Sequence, residues 1–277
     1  MRDALRCVVL FAAALTGGCA RGLNYASPDG PRYAGGVVSS PASAGAPAVL
    51  RRILRLVTFN TRHAEQVDST IALLRQTPAL EHADVVALQE VDAAATERIA
   101  RALDMAYVYY PATLHPKFGR DFGNAVLTRW PIVADRKLVL PHLGRWRRTT
   151  RTATAATITV DGAAIRVYSA HLGTVAEIGP QSKRDQMEFI LADAAAYPHV
   201  VILGDMNSHG VGASLRGAGY QWPTEHNPRT LAFGNWDHVF LKGIALPLGT
   251  ATGVVTDNRR ASDHRAVWTL ITSPLPR

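Results

Sequence analysis

The run Val200-Val201-Ile202-Leu203-Gly204-Asp205-Met206-Asn207 decides how this chain is read. Four aliphatic residues in succession suit a strand buried on both faces, where apolar positions need not alternate with polar ones. The run stops on a glycine and then on two short polar residues two positions apart, which share one side of an extended segment. The same succession recurs: Val85-Val86-Ala87-Leu88 stops at Gln89-Glu90, a strand over 53–60 stops at Asn60, and one over 164–171 stops at His171. Singly, each polar residue could be a turn or the first residue of a helix. Repeated at successive strand ends, they point to a crevice beyond the carboxyl ends of packed strands, where rigid elements hold functional groups in place.

Working outward, the periodicity predicts further strands at 106–111, 124–130, 135–140 and 152–160, and near 236–241 and 265–272. Helices are expected over 64–76, 92–103 and 181–196. The threonine-rich 152–160 stretch alternates as an antiparallel strand with one exposed face does. The chain has 277 residues, 47% of them hydrophobic, enough for one large core or two small domains. Strand and turn signals run without a break from 53 to 273, so one domain over 51–277 is the simpler reading. Helices on both sides of mixed sheets make an α/β sandwich, with two sheets the expected arrangement.

The beginning of the chain reads differently. A basic start (Met1 to Arg6), an apolar run from Cys7 to Leu15 and small residues before Cys19 make 1–19 a secretory leader, too short to span a bilayer. Gly18-Cys19 suggests lipidation of Cys19; ordinary cleavage after Ala20 is the alternative. Either way the protein is expected to be exported, to the periplasm, and in the first case anchored to a bacterial membrane as a monomer. Residues 20–50, rich in Gly, Ala, Pro and Ser, read as a flexible tether with a reach of roughly 30 Å. With Cys7 removed and Cys19 carrying lipid, no thiol remains for a disulfide or a thiolate metal site. The net charge is +8, or +7 without the leader, which suits a polyanionic partner such as nucleic acid or anionic lipid headgroups and equally suits a plain solvated surface.

Seven short motifs occur in order along 53–272. They are Val57-Thr58-Phe59-Asn60, Ala87-Leu88-Gln89-Glu90-Val91, Gly123-Asn124-Ala125-Val126-Leu127-Thr128-Arg129, Ser169-Ala170-His171-Leu172, Gly204-Asp205-Met206-Asn207, Trp236-Asp237-His238-Val239-Phe240 and Ser262-Asp263-His264. Together they resemble the endonuclease/exonuclease/phosphatase superfamily, whose fold is a four-layer α/β sandwich with two central mixed β-sheets flanked by helices. The resemblance implies a metal-dependent phosphoester hydrolase. Glu90 matches the principal ligand of a Mg2+ (or Mn2+) ion, a hard cation that prefers oxygen donors, with Asn60 and Asp263 completing or supporting that site. It implies that Asp205 orients or deprotonates the attacking water and that Asn207 holds the phosphate. His264 would contact the phosphate with Asp237 as its partner, His171 would be a second phosphate-side histidine and proton donor, and Asn124 a buttress.

The basic loop Arg145-Trp146-Arg147-Arg148, with Arg151 beyond it, could grip a phosphate backbone or a lipid surface, with Arg148 the substrate-side candidate, or be simply solvated. Lys183, Arg184 and Gln186 read as structural, and His63, His115, His142, His209 and His226 have no metal-ligand spacing. A binuclear metallophosphatase would need Gly-Asp-x-His, whereas the residue following Met206 is Asn207; a serine hydrolase would need a Gly-x-Ser-x-Gly elbow, which is absent. A catalytically silent, membrane-tethered binding module of the same fold is the other alternative. Whether the substrate is nucleic acid or a phospholipid headgroup is not legible in the sequence.

Overall fold

A computed structural model of the chain describes residues 23–36, 52–115 and 117–274. The leader and residues 20–22 and 37–50 of the expected tether lie outside the described residues. The remainder of that segment corrects the tether: β1 (Leu23–Asn24) and β2 (Tyr33–Gly35) pair antiparallel with β5 (Ala106–His115). Low sequence periodicity hid them, because an edge strand of two or three residues gains most of its stabilisation from the sheet it joins.

The first sheet runs β1-β5-β6-β4-β3-β13-β12, with β2 also on β5. Its other members are β3 (Ile53–Asn60), β4 (Val85–Val91), β6 (Arg120–Thr128), β12 (Thr252–Val254) and β13 (Val267–Thr272). The second sheet runs β11-β10-β9-β8-β7, from β7 (Ile132–Val139), β8 (Thr152–Val160), β9 (Ala163–His171), β10 (Val200–Asp205) and β11 (Asp237–Lys242). Both are mixed: β3 and β4 are parallel, as are β9 and β10, and the other pairs are antiparallel. The predicted strands and the three predicted helices are present; β1, β2, β12 and the short α4 (Val211–Gly217) are additional.

Alternation of side chains then dictates four layers. One face of the first sheet packs Val57, Phe59, Val86 and Leu88 against α1 (Val67–Gln76) and α2 (Ala93–Leu103), through Leu73, Leu74 and Ile99. One face of the second packs Tyr168, Ile202 and Phe240 against α3 (Pro180–Ala194) and α4, through Met187, Ile190 and Leu215. The two inner faces meet in a third core containing Leu54, Leu56, Val126, Val167, Val201, Leu203, Val239 and Leu241. At roughly 25 cal/mol per Å² of apolar surface removed from water, a core of this breadth is the main source of stability. It also fixes the register, since a one-residue slip would turn every inner residue outward.

Candidate active site

The inner core ends in a polar row, and the same alternation produces it. On β10, Val201 and Leu203 face inward, so Asp205 does too; on β9, Val167 and Ser169 lead to His171; on β11, Asp237 precedes the inward Val239. Asp205 lies opposite His171 on one side and Asp237 on the other, so the three stand side by side across the second sheet. From the first sheet, Leu54 and Leu56 lead to Asn60, and Val126 leads to Asn124.

Glu90 breaks the rule in an informative way. Regular alternation would put it outside with Val86 and Leu88. Instead the β4–β6 register shifts between Gln89 and Val91, and Glu90 adopts φ +55°. Such a bulge re-aims one side chain, and for a non-glycine residue a left-handed conformation costs about 1 kcal/mol or more. Thr61 holds the bulge, its hydroxyl donating to the carbonyls of Gln89 and Glu90 at 3.0 Å each. Gly204 has a related role: a Cβ there would stand 1.9 Å from the Ala170 carbonyl oxygen, so only glycine lets β9 and β10 approach this closely just before Asp205.

These devices bring the groups within reach of one another. Asn60 Nδ2 donates to Glu90 Oε1 at 3.2 Å and, across the two sheets, to Asp205 Oδ2 at 3.1 Å. His171 Nε2 is 3.5 Å from Asp205 Oδ2 and 3.9 Å from Glu90 Oε1. His264 Nε2 is 3.7 Å from Asp205 Oδ2, while its Nδ1 meets Asp237 Oδ2 at 2.9 Å. Asn207, at φ +47°, donates its backbone N–H to Asp205 Oδ1 at 2.8 Å and its amide to the Leu172 carbonyl at 3.1 Å. Asn124 donates to the Thr152 carbonyl at 2.6 Å, tying β6 to β8. Gln89 and Ser169 tie β4 to β9 in the same way, at 3.0 Å.

Burial pushes the Asp205 carboxyl up to about 7, helped by Asp237 and Glu90 and opposed by His264. Burial also works against a charge on His264, but the Asp237 and Asp205 carboxylates outweigh it and raise the imidazole to about 10. Burial, with Arg151 and His264 nearby, holds His171 well below the usual histidine range and favours its neutral form.

Two expected site residues have no described contact with the row. Asp263 is exposed, and its one described hydrogen bond is from the Ser262 hydroxyl at 3.3 Å. Arg148 is exposed, with its carbonyl accepting from Asn24 at 2.7 Å; its neighbour Arg151 is the arginine that enters the site. Arg151 is buried, with Nη1 3.1 Å from both ring nitrogens of His171 and Nη2 2.6 Å from Glu177. In the loop both look alike; only the fold, which buries Arg151 against His171, tells them apart. His63, given no role from spacing, lies 3.3 Å from Glu90 Oε2 in a ring cluster with His115, Phe118 and Phe122. Lys183, read as structural, is buried with its ammonium on the Asn207 carbonyl at 2.6 Å.

The donor set suits a hard cation. The described partners of Glu90 are Asn60, His63 and His171, none a permanent cation, and the buried Asp237 Oδ1 has no hydrogen-bond partner. Asp205, Asp237 and His264 also lie close enough for a metal, with donor atoms within 4.8 Å. Binding there would break the Asp237–His264 pair, so Glu90 is the better anchor. Asn60 turns its NH2 toward the carboxylates while its oxygen accepts from Arg62 N at 3.0 Å, an orientation that steadies Glu90 and would reverse for direct ligation.

Two mixed sheets, four layers and a row of acid, amide and imidazole groups at their open end define a deoxyribonuclease I-like α/β sandwich. The chain belongs to the endonuclease/exonuclease/phosphatase family, whose model matches residues 57–264. Among solved structures, an endonuclease/exonuclease/phosphatase family protein from Leptotrichia buccalis is 20% identical, with 79% of this chain and 99% of that one covered at a TM-score of 0.61. D. rerio TDP2 complexed with a single-strand DNA product is 16% identical over 80% and 99%, at 0.64. The human Nocturnin catalytic domain with bound sulfate is 17% identical over 81% and 96%, at 0.60. These likenesses carry the fold. A search of curated proteins found no match.

Proposed function

We propose that the protein is a metal-dependent phosphoester hydrolase of the phosphodiesterase type, attacking phosphorus in line with water. The observation that carries this reading is the position of Asp205, whose carboxylate lies within 3.1 to 3.7 Å of Asn60, His171 and His264 at the mouth of the inner core. Asp205 is placed to orient a water and take its proton, with Asn207 locked beside it by a backbone hydrogen bond. His264, held cationic and oriented by Asp237, presents Nε2 to a phosphate oxygen and stabilises the charge that grows there. Neutral His171 contributes a hydrogen bond, and Arg151 adds a fixed positive charge behind it. Mg2+ held by Glu90, with Asn60 beside it, would neutralise phosphate oxygens and the leaving oxygen.

Nucleic acid and phospholipid headgroups are both substrates of the right charge. Export and a lipid on Cys19 belong to the same proposal. The test is hydrolysis of bis-p-nitrophenyl phosphate, plasmid DNA, RNA and phospholipids with and without Mg2+ or Mn2+, using Asp205→Asn as the blank. No metal-stimulated cleavage of any of these by the wild type would overturn it.

A further inference from the structure

The two loops that flank the catalytic row are unlike the rest of the surface. Because β8 is antiparallel to β9 and β11 is antiparallel to β10, the segments leading into Thr152 and Asp237 both lie at the end of the sheet that carries His171 and Asp205. They therefore form two lips, one on each side of the row. On the first, Trp146 is 69% exposed between Arg145, Arg147 and Arg148, all exposed. On the second, Phe233 is 83% exposed, with Arg229 exposed and Arg265 linked to it through the Arg229 carbonyl.

The first lip is broader than its loop. Arg145 N donates to the Glu177 carbonyl at 3.0 Å, which fastens the 174–178 turn and its 62% exposed Val175 alongside. Asn24 accepts from Thr150 N at 2.9 Å and donates to the Arg148 carbonyl, which adds Leu23, 61% exposed, from the edge strand β1. Three separate segments thus converge to present aromatic and aliphatic side chains amid arginines. Water gains nothing from holding these groups, and no described side chain covers them.

We propose that the two lips are a docking surface for an anionic lipid bilayer, which brings the active-site mouth against the membrane. The exposed aliphatic side chains choose this occupant over nucleic acid. Arginines serve either polyanion and aromatic rings stack on bases, but Leu23 and Val175 on exposed tips have no use for a nucleic acid, whereas an interface accepts aliphatic and aromatic groups beside basic ones. Among the described residues no helix is long and apolar enough to cross a membrane, so contact is at the surface. Cys19, the expected lipidation position, precedes Leu23 by four positions in the sequence. The proposal deepens the phosphoesterase reading by favouring lipid-borne substrates, but docking itself needs no catalysis.

Every described strand and helix lies within 23–274, so a chain beginning at Ala20 keeps the fold and removes the leader as a source of adhesion. Its binding is measured by co-sedimentation with vesicles of phosphatidylcholine, with or without about one third phosphatidylglycerol, and hydrolysis of bis-p-nitrophenyl phosphate is followed in parallel. Anionic vesicles should bind at least tenfold tighter than neutral ones, and each of Arg145, Arg147 and Arg148 changed to Gln should weaken binding roughly fivefold. Trp146→Ser with Phe233→Ser should lower binding tenfold or more while leaving the melting temperature and hydrolysis of the soluble ester unchanged. Failure to bind anionic vesicles would overturn docking even if the ester is cleaved. So would tighter binding of a DNA or RNA oligonucleotide through the same two aromatic residues. Vesicle binding without ester cleavage would sink the phosphoesterase reading and leave docking in place.

Discussion

Strand β9 carries two buried charged clusters, one on each face, and they are built to opposite rules. On the outer face Arg166 is buried with Nη2 3.0 Å from Asp193, Nη1 3.1 Å from Thr157, and Tyr168 hydroxyl 2.6 Å from the same carboxylate; Arg136 takes the other oxygen at 2.6 Å. Burial alone would raise Asp193, but Tyr168 and Arg166 more than offset it and hold the carboxyl below the usual range. On the inner face Asp205, Asp237 and Glu90 share one cationic histidine, Asp205 is pushed up to about 7, and Asp237 Oδ1 is left without a partner. The outer cluster is closed: every charge is answered from within the chain. The inner one is short of positive charge, and that shortage is what lets it hold a cation and a phosphate.

Asp205→Asn should separate the two most sharply. It removes the group that orients and deprotonates water, so hydrolysis of bis-p-nitrophenyl phosphate should fall about 10³-fold, within the range for general-base and electrostatic contributions. The same change relieves a carboxylate that the fold disfavours, so the metal-free melting temperature should stay level or rise. A fall in stability comparable to that of a core mutation would mean the inner cluster is closed after all. Arg166→Met should do the reverse, costing about 2 kcal/mol by removing one charged partner of the Asp193 carboxylate and leaving Tyr168 and Arg136 to hold it, with kcat unchanged in the fraction that remains folded. Chemical denaturation and single-turnover rates on the same preparations decide both.

The pH dependence of stability sharpens the contrast further. His264 has a folded value of about 10 against 6.5 for the free group, so its stabilising contribution is full below 6.5 and is lost as pH rises toward 10. Asp205, raised to about 7, is likewise most stabilising while protonated and loses that contribution as pH rises through 7. Together these two groups contribute a loss of about 2 kcal/mol between pH 6.5 and 8 in the metal-free protein. Lys137, lowered to about 8 by burial, works the other way mainly above pH 8, and His171, His115 and His238, all lowered with burial the largest cause, work the other way as pH rises through the usual histidine value. Asp193 lies outside this window, because its depressed value matters only as pH falls below 3.8. Thermal unfolding of the Asp205→Asn/His264→Gln double variant should no longer show this loss over the same interval, and an unchanged slope would assign it to other groups.

How far the inner cluster was legible depends on how each residue is held. Asp205, His171 and Asn60 end apolar runs whose alternation faces them inward, so one strand suffices to read them. Glu90 shows as the acid that ends an apolar run and through its motif, but the bulge at φ +55° that turns it inward leaves no periodic trace. Asp237 and His264 are joined by a contact between residues 27 positions apart, which no local pattern encodes. His63 and Arg151 were passed over for a different reason: a histidine in a loop after a strand and one arginine among several look the same whether they point to solvent or to the site. The segment 23–36 was misread because its strands are held by β5, and Gly and Pro content reports local preference alone.

The arginine pair 148 and 151 offers the smallest effect and the cleanest check on what distinguishes an inward from an outward charge. Arg151 sits between the two rules: its Nη2 is answered by Glu177 at 2.6 Å, while Nη1 lies on the ring of His171 and adds positive charge to a site that lacks it. Removing it should leave Glu177 half-buried without its partner and His171 freer to take a proton. Arg151→Met should therefore lower kcat about tenfold on a soluble diester, a cost near 1.4 kcal/mol, and shift the acid limb of the pH–rate profile upward as His171 regains basicity. Arg148→Met, three residues away with its side chain in solvent, should change kcat less than twofold and leave the profile where it was. If the two variants behaved alike, the charge of the loop as a whole would be what matters, and the inward placement of Arg151 would carry no chemistry of its own.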